Sequence, residues 1–405
     1  MIETTSPMMS VRPELSRAAT PALLRGEPRH GWFFFPHSFS PPLIEAVLDH
    51  WQADQGTVLD PFVGSGTTLT VALSRGLSCI GVDLSPLAVL ISTVKTRSYQ
   101  SDGLLAALER VTSHPVSSTV EAFQPERLQR AFTAAELRAL AAIKAGFLNE
   151  KREVQDFFTV AWLRAAQTVS RAIPNGGWFR WIERRDQEAR IPLLFRQFAQ
   201  AMINDTGSDP ATPGQPSAVV VQGDARHLPP QPQVNFVVTS PPYPNRHDYS
   251  RVFHIELLLL GVAEDAVTNF RHKSLRSHVE AHEPVGGHDY REPFRLTEIL
   301  DEWPPKADRR IPKMLRGYFE DLHRTLCSLY PKVIDGGRLA FVLGNVRHAG
   351  VMIPVDELFA ELAGFGGFSH EATWVLRERG NSAQQMGKYG RIGSRESVVL
   401  LTKAG

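Results

Sequence analysis

The sequence predicts a Rossmann-like α/β fold, a doubly wound parallel sheet with one large helical insertion and a second, smaller one. Three observations predict it. Short apolar runs closed by Asp or Thr alternate with helical stretches in the first and last parts of the chain. A glycine-rich turn joins the first of these runs to its helix. From residue 100 to about 202 the alternation gives way to helical periodicity alone.

Taken in order, residues 1–30 carry scattered Pro, Ser and Arg without a period and read as a flexible arm. Patterning starts at Trp32. Thr57-Val58-Leu59-Asp60 reads as a buried strand, the turn runs through Pro61 to Thr68, and an apolar helix continues to Ser74. Cys79 to Asp83 is a second strand, followed by a helix from Pro86 to about Lys95. The α/β core therefore spans residues 31–99 and 216–405, with the helical insertion at 100–215. Ala134–Ala145 and Phe157–Arg171 are its clearest helices, and a Gly/Pro/Ser/Asp stretch from Asn204 to Ser217 closes it. Ala218–Val221 and Val234–Thr239 resume the sheet. Residues 264–312, polar and rich in His, Arg and Pro, form the second insertion. A helix over Lys313–Tyr330, a Gly-Gly turn and strands at Arg338–Leu343, Ala372–Leu376 and Ser397–Thr402 complete the core.

Composition is that of a soluble globular chain, 42% hydrophobic and 21% charged, with a net charge of +1. That balance argues against an indiscriminate polyanion binder, although a local basic face suffices for nucleic acid. The longest apolar runs, such as Ile255–Ala263, are too short to cross a bilayer, so no membrane partner is expected. The first residues lack a secretion signal pattern. Cys79 and Cys327 both lie in apolar stretches and read as small core residues in a reducing cytoplasm.

Gly64 and Gly66 let backbone approach a ligand at the carboxyl edge of the sheet, and the helix behind them presents unpaired N–H groups. Thr67 and Thr68 add hydroxyl donors. Asp83, closing the next strand, is placed to accept from two ribose hydroxyls, and Asp224 from an adenine amino group; Leu84 and Ala225 follow each acid. Each feature alone also fits a plain connection or a helix cap. Their order fits any adenosine-containing cofactor, NAD included.

Thr239-Ser240-Pro241-Pro242-Tyr243 discriminates among them. It ends an apolar strand at that same edge. Consecutive prolines fix φ and donate no N–H, so nearby carbonyls stay rigid and free to accept. The Ser240 side chain and a carbonyl of the Ser240–Pro241 pair can accept both N–H bonds of a planar amino group, which aims its lone pair at an electrophilic methyl. Tyr243 offers a stacking face for an extruded base. A Pro-Pro pair that merely turns the chain is the plainer alternative.

These residues resemble the DNA amino-methyltransferases that make N4-methylcytosine and N6-methyladenine. Asp60-Pro61-Phe62-Val63-Gly64-Ser65-Gly66-Thr67-Thr68 is similar to their cofactor motif and Thr239–Tyr243 to their catalytic motif. Pro36-His37-Ser38-Phe39 resembles the segment packing on the methionine end, and Gly336-Gly337 with the strand to Gly344-Asn345 resembles later core segments. The likeness covers residues 32–95 and 218–262 well and 313–402 loosely. It implies the class I methyltransferase version of the Rossmann-like sheet, with S-adenosylmethionine as cofactor and DNA as partner. Ser rather than Asp before Pro-Pro-Tyr is the commoner form among cytosine-N4 enzymes. Many relatives with this cofactor motif place the catalytic motif first; here the order is reversed, which leaves open where DNA is read.

Candidate DNA contacts fall in separate places. Asn245, Arg246, His247, Tyr249 and Arg251 follow the catalytic turn. Arg180, Arg184 and Arg185 lie in a stretch with Arg164, Arg171, Arg190 and Arg196, interleaved with Trp162, Trp178, Phe179 and Trp181. Lys388 and Arg391 sit in the basic loop from Arg377 to Arg395. His272, His278, His282 and His288 have no trusted metal spacing and read as a polar loop, so no metal is expected. The expected function is transfer of a methyl group to cytosine N4 in duplex DNA by base flipping, in the bacterial or archaeal cytoplasm at the nucleoid, beside a cognate restriction endonuclease. The adenine-N6 reaction, an RNA amino-methyltransferase and a non-catalytic DNA-binding protein on the same fold are the alternatives.

Overall fold

The structure is a computed structural model that describes residues 8–113, 125–175, 178–207, 216–245, 248–282, 290–380 and 387–405. Strand β1 (Met9–Val11) pairs parallel to the distant segment Thr373–Val375, and Arg12 lies over the Trp374 ring at 4.6 Å. In place of the flexible arm expected over residues 1–30, the segment adds an edge strand at Met9–Val11 and packs Leu15, Ala18, Ala19 and Leu24 behind it. The contacts that order it are remote in sequence, and local periodicity does not register them. Residues 1–7 lie outside the described residues.

Helix α1 (Pro41–His50) leads to β2 (Thr57–Asp60), α2 (Thr67–Ser74), β3 (Ser78–Asp83) and α3 (Pro86–Thr96), whose first turn is capped by Ser85 accepting from the Ala88 N–H. Helices α4 (Ser101–Ser113), α5 (Glu126–Ala131), α6 (Ala134–Phe147) and α7 (Arg152–Val169) follow. Thr133 and Glu136 form a capping box at the start of α6. Before α8 (Ile191–Asn204) the chain forms a hairpin, β4 (Ala172–Asn175) with β5 (Trp178–Trp181), where the sequence reads as helical. Pro174 cannot sustain a helix, and the aromatic run after it favours a pleated surface.

The sheet resumes with β6 (Ala218–Gln222) and β7 (Val234–Thr239). Helices α9 (Tyr249–Val252), α10 (His254–Leu259), α11 (Glu264–Lys273), α12 (Phe294–Asp301) and α13 (Arg310–Leu329) lead to β8 (Val333–Gly344). A small hairpin, β9 (Val346–His348) with β10 (Val351–Ile353), precedes α14 (Val355–Phe365), β11 (Phe368–Arg379) and β12 (Ser394–Lys403). Residues 264–312 therefore carry helices rather than a loop alone. His272 and His282 stack at 4.8 Å, and among the described residues no three His, Cys, Asp or Glu side chains converge as metal ligands.

Sheet order is β1-β11-β12-β8-β7-β2-β3-β6. Strands β8, β7, β2, β3 and β6 run parallel, and β12 alone is reversed, antiparallel to both β8 and β11. Strand side chains alternate between faces. Val58, Val238, Ala340, Val342 and Leu400 pack with α1 and α2, while Leu59, Val237, Leu339, Phe341 and Leu401 pack with α13 and α14. A further apolar cluster joins α3 to helices α4–α8 and α10. This is a Rossmann-like α/β sheet, as the sequence predicts. Cys79 is buried inside it, but Cys327 is exposed, because it lies on the solvent side of α13.

Candidate active site

Parallel strands end at one edge, and the turns after β2, β3, β6 and β7 meet there. The turn after β2 depends on left-handed backbone at Gly64 (φ +49°) and Gly66 (φ +80°). A Cβ at Gly66 would come within 3.0–3.1 Å of Ser92 on α3, so turn and helix pack too closely for any side chain. A Cβ at Gly64 would meet nothing nearer than the Phe62 carbonyl at 3.7 Å, so its open side faces vacant space. Asp83 braces the turn: its Oδ2 accepts from Gly64 N–H at 3.0 Å and its Oδ1 from Ser85 N–H at 2.8 Å.

That space is a cavity of about 450 Å³. His37, Ser38, Phe39, Asp60, Pro61, Phe62, Gly64, Ser65, Thr67, Asp83, Leu84, Asp224 and Ala225 all line it, as do Ser240, Pro242 and Tyr243. Gly66, Thr68 and Pro241 are not on its wall; Thr68 and Pro241 are buried behind it. The cavity wall carries four acids, Asp60, Asp83, Asp224 and Glu396, and four cationic side chains, Arg226, Lys273, Arg377 and Arg379. Burial pushes the Asp60 carboxyl up to about 6, against hydrogen bonds from Thr239 (2.6 Å) and the Phe62 N–H (3.1 Å). Burial also raises Asp83, opposed by the N–H groups of Ser85 and Gly64. Asp224 is half-buried, yet its pKa is lowered overall because Arg226 binds both its oxygens, at 3.0 and 2.7 Å.

Arg226 was not legible as a site residue. It is almost fully buried and also reaches Asp321 on α13, which in turn binds Arg276 at 2.6 Å; Arg276 continues to Glu320. Through the Lys273 carbonyl, 2.6 Å from Nη2, the same guanidinium fastens the segment after α11 against the cavity. Lys273, Ser274, Leu275, Ser277 and His278 consequently form part of the wall, although the sequence placed them in a polar second insertion. Ala19, Thr20 and Pro21 from the N-terminal segment close another part.

At the reacting end, Tyr243 is held on several sides. Its hydroxyl donates to Glu396 Oε1 at 2.9 Å, and the Arg379 guanidinium lies 5.1 Å from its ring centre. Burial and the neighbouring Glu396 carboxylate raise its pKa well above the usual value, so it remains a neutral donor. The next turn is pinned where the His348 ring meets the Pro244 carbonyl at 2.7 Å. Arg377 and Arg379, read in the sequence as part of a basic loop, instead end β11 on the cavity wall; Glu396 went unrecognised, because only the reversal of β12 brings its first residues to the carboxyl edge of the parallel strands.

The candidate DNA contacts divide. Asn245 lines the cavity. Arg246 and His247 lie outside the described residues, as does the side chain of Tyr249. Arg251 binds Glu280 at 2.6 Å within a cluster with Asp248 and Arg271. In the arginine-rich stretch, Arg171 binds buried Glu136 at 2.6 Å, Arg164 caps the Gly31 carbonyl at 2.7 Å, Arg196 binds Glu109, and Trp162 is core. Arg184 donates to the Thr168 carbonyl. Internal carbonyls and acids thus occupy much of that set, while Arg180, Arg185, Arg190, Lys388 and Arg391 are exposed.

The cavity suits S-adenosylmethionine. Its acids match a sulfonium, an ammonium and ribose hydroxyls, and its open glycine turn leaves room for a ligand against the backbone. Among the described residues no helix is long and apolar enough to cross a membrane. Residues 16–93 match the DNA methylase family. Type II methyltransferase M.BsoBI of Geobacillus stearothermophilus is 27% identical over 92% of this chain and 85% of its own. Type II methyltransferase M.AvaI of a Nostoc species is 26% identical, covering 94% of this chain and 87% of its own. Among solved structures, the rRNA methyltransferase aviRa of Streptomyces viridochromogenes aligns over 96% of this chain and 93% of its own, with 14% identity and a TM-score of 0.31, a likeness too slight to bear on function. Both motifs lie on one cavity, and the family match together with relatives aligned over most of the chain supports a DNA amino-methyltransferase family.

Proposed function

We propose that the protein methylates the exocyclic N4 of cytosine in DNA, acting on a base flipped out of the duplex. The observation that carries this reading is a neutral Ser240, followed by Pro241-Pro242-Tyr243, on the same cavity as the Gly64 turn and Asp83. When bound, S-adenosylmethionine supplies an electrophilic methyl group. Gly64, Asp83 and Asp224 would hold its adenosyl part, and Ser38, Phe39 and Ser65 its methionine part. Ser240 and the carbonyls beside Pro241 accept the two N–H bonds of the target amine, which turns its lone pair out of conjugation. Tyr243 stacks on the base. The amine nitrogen would take the methyl as its bond to sulfur breaks, and S-adenosylhomocysteine would leave. The extra amine proton would pass to solvent after transfer, so positioning supplies most of the rate and no strong base is needed before transfer.

Incubation of mixed-sequence DNA with labelled S-adenosylmethionine, followed by nucleoside mass analysis, tests this. N4-methylcytosine is expected. N6-methyladenine would keep the mechanism and overturn the weight placed on Ser240, and no methylated nucleoside would overturn the reading. The Type II designation of both relatives supports a restriction–modification setting with a cognate endonuclease. Protection of the methylated DNA from that nuclease is the check, and cutting unaffected by methylation would remove the pairing.

A further inference from the structure

The catalytic motif does not account for what holds Tyr243. Its hydroxyl donates to Glu396 Oε1 at 2.9 Å, and Oε2 of the same carboxylate accepts from Arg377 Nε at 2.6 Å. Arg377 and Glu396 oppose each other directly across β11 and β12. Their pairing follows a register irregularity between Val375 and Arg377. Such an irregularity re-aims the side chain that follows it, and here Arg377 lines the cavity. Glu396 is itself only 4% exposed, with both oxygens engaged. A buried carboxylate left unpaired is costly, so this pair has one stable arrangement, and the ring attached to it inherits that arrangement.

We propose that Glu396, held by Arg377, is the positioning residue of the catalytic tyrosine. It presets the ring plane, so that an incoming base meets a stacking face already in place. The proposal rests on the reading that Tyr243 stacks on the target base, and it adds a residue from the far hairpin to that role. Glu396 acts through Tyr243 and touches no reacting atom. A loose tyrosine would still bind the same cofactor but would have to be ordered at every turnover. Loss of the clamp therefore lowers kcat and leaves cofactor affinity alone.

A double-mutant cycle on the full chain tests this, with transfer of labelled methyl from S-adenosylmethionine to mixed-sequence DNA as the readout. Tyr243→Phe keeps the ring and removes the hydroxyl; Glu396→Ala removes the acceptor. Each should lower kcat by about tenfold, with the Kd for S-adenosylmethionine within about twofold of the parent, as expected for one lost hydrogen bond. The double variant should be no slower than the worse single one. Glu396→Gln retains an acceptor oxygen and should recover much of the loss. Multiplied losses of about a hundredfold in the double variant would overturn the proposal, as would a parental kcat in Tyr243→Phe. Should Glu396→Ala fail to fold, Tyr243→Phe and Glu396→Gln decide alone: a slow Phe variant with a faster Gln variant supports the clamp, and the reverse overturns it. An inactive parent would instead overturn the DNA methyl-transfer reading beneath it.

Discussion

Asp60→Asn should make the free protein more stable at neutral pH while weakening its hold on a cationic ligand. Asp60 is 2% exposed, and burial raises its carboxyl from an ordinary 3.8 to about 6. Ionised in both states, such a group disfavours the folded chain by about 3 kcal/mol, two pKa steps at about 1.4 kcal/mol each. The sign follows from proton counting. Between pH 4 and 6 the folded state binds the extra proton, so this group's contribution to stability falls as pH rises through that window. Asn removes the charge and keeps the shape: its Oδ1 still accepts from Thr239 and from Phe62 N–H. Urea unfolding of both proteins without cofactor, from pH 4 to 8, gives the difference curve in which all other titrations cancel. The variant should gain about 1–3 kcal/mol at pH 7.5, shrinking towards zero near pH 4. A gain independent of pH, or a less stable variant at pH 7.5, would refute the assignment of an ionised, poorly compensated carboxylate.

Asp83→Ala should weaken S-adenosylmethionine binding by about 2–3 kcal/mol, one charge-assisted hydrogen-bond pair, in a calorimetric titration; unchanged affinity would remove Asp83 from the ribose. Tyr243→Ala should lower methyl transfer by about 1–3 kcal/mol of stacking energy, with cofactor affinity nearly constant. Activity equal to the parent would end the stacking argument.

The parts of the fold most legible in the sequence are those written by local rules. Val234–Thr239 and Thr57–Asp60 stand in the structure at their expected bounds, because an apolar run closed by a polar residue and a turn has few other solutions. The glycine turn is legible for a related reason: left-handed backbone restricts the residues that can occupy it. What stayed hidden depends on partners far along the chain. The N-terminal segment is ordered by Thr373–Val375, and Lys273–His278 joins the cavity wall through Arg226 and Asp321. Arginines read as a DNA face are partly absorbed by Glu136, Glu109 and main-chain carbonyls, since charge composition does not reveal which acids fold against them.

Gly344 lies between these cases. With Asn345 it resembles a family segment, but the physical reason for a glycine appears only with the hairpin in place. Its φ is not left-handed, so backbone freedom is not the reason. Space is: a Cβ there would stand 2.7 Å from Tyr243 Cε2 and 2.7 Å from Arg379 Nη2. Arg379 can swing its tip aside. The tyrosine ring cannot do so without leaving Glu396, its partner at 2.9 Å, and β8 is fixed by its register with β12. Gly344→Ala should therefore displace the ring rather than the sheet. Overpacking of this kind costs about 1–3 kcal/mol, most of it borne at the reacting end of the cavity. Expected are a lower kcat, a parental Kd for S-adenosylmethionine, and a melting temperature only slightly reduced. A parental kcat would mean that the ring position does not limit the reaction, and the role given to Tyr243 would have to move to another wall of the cavity.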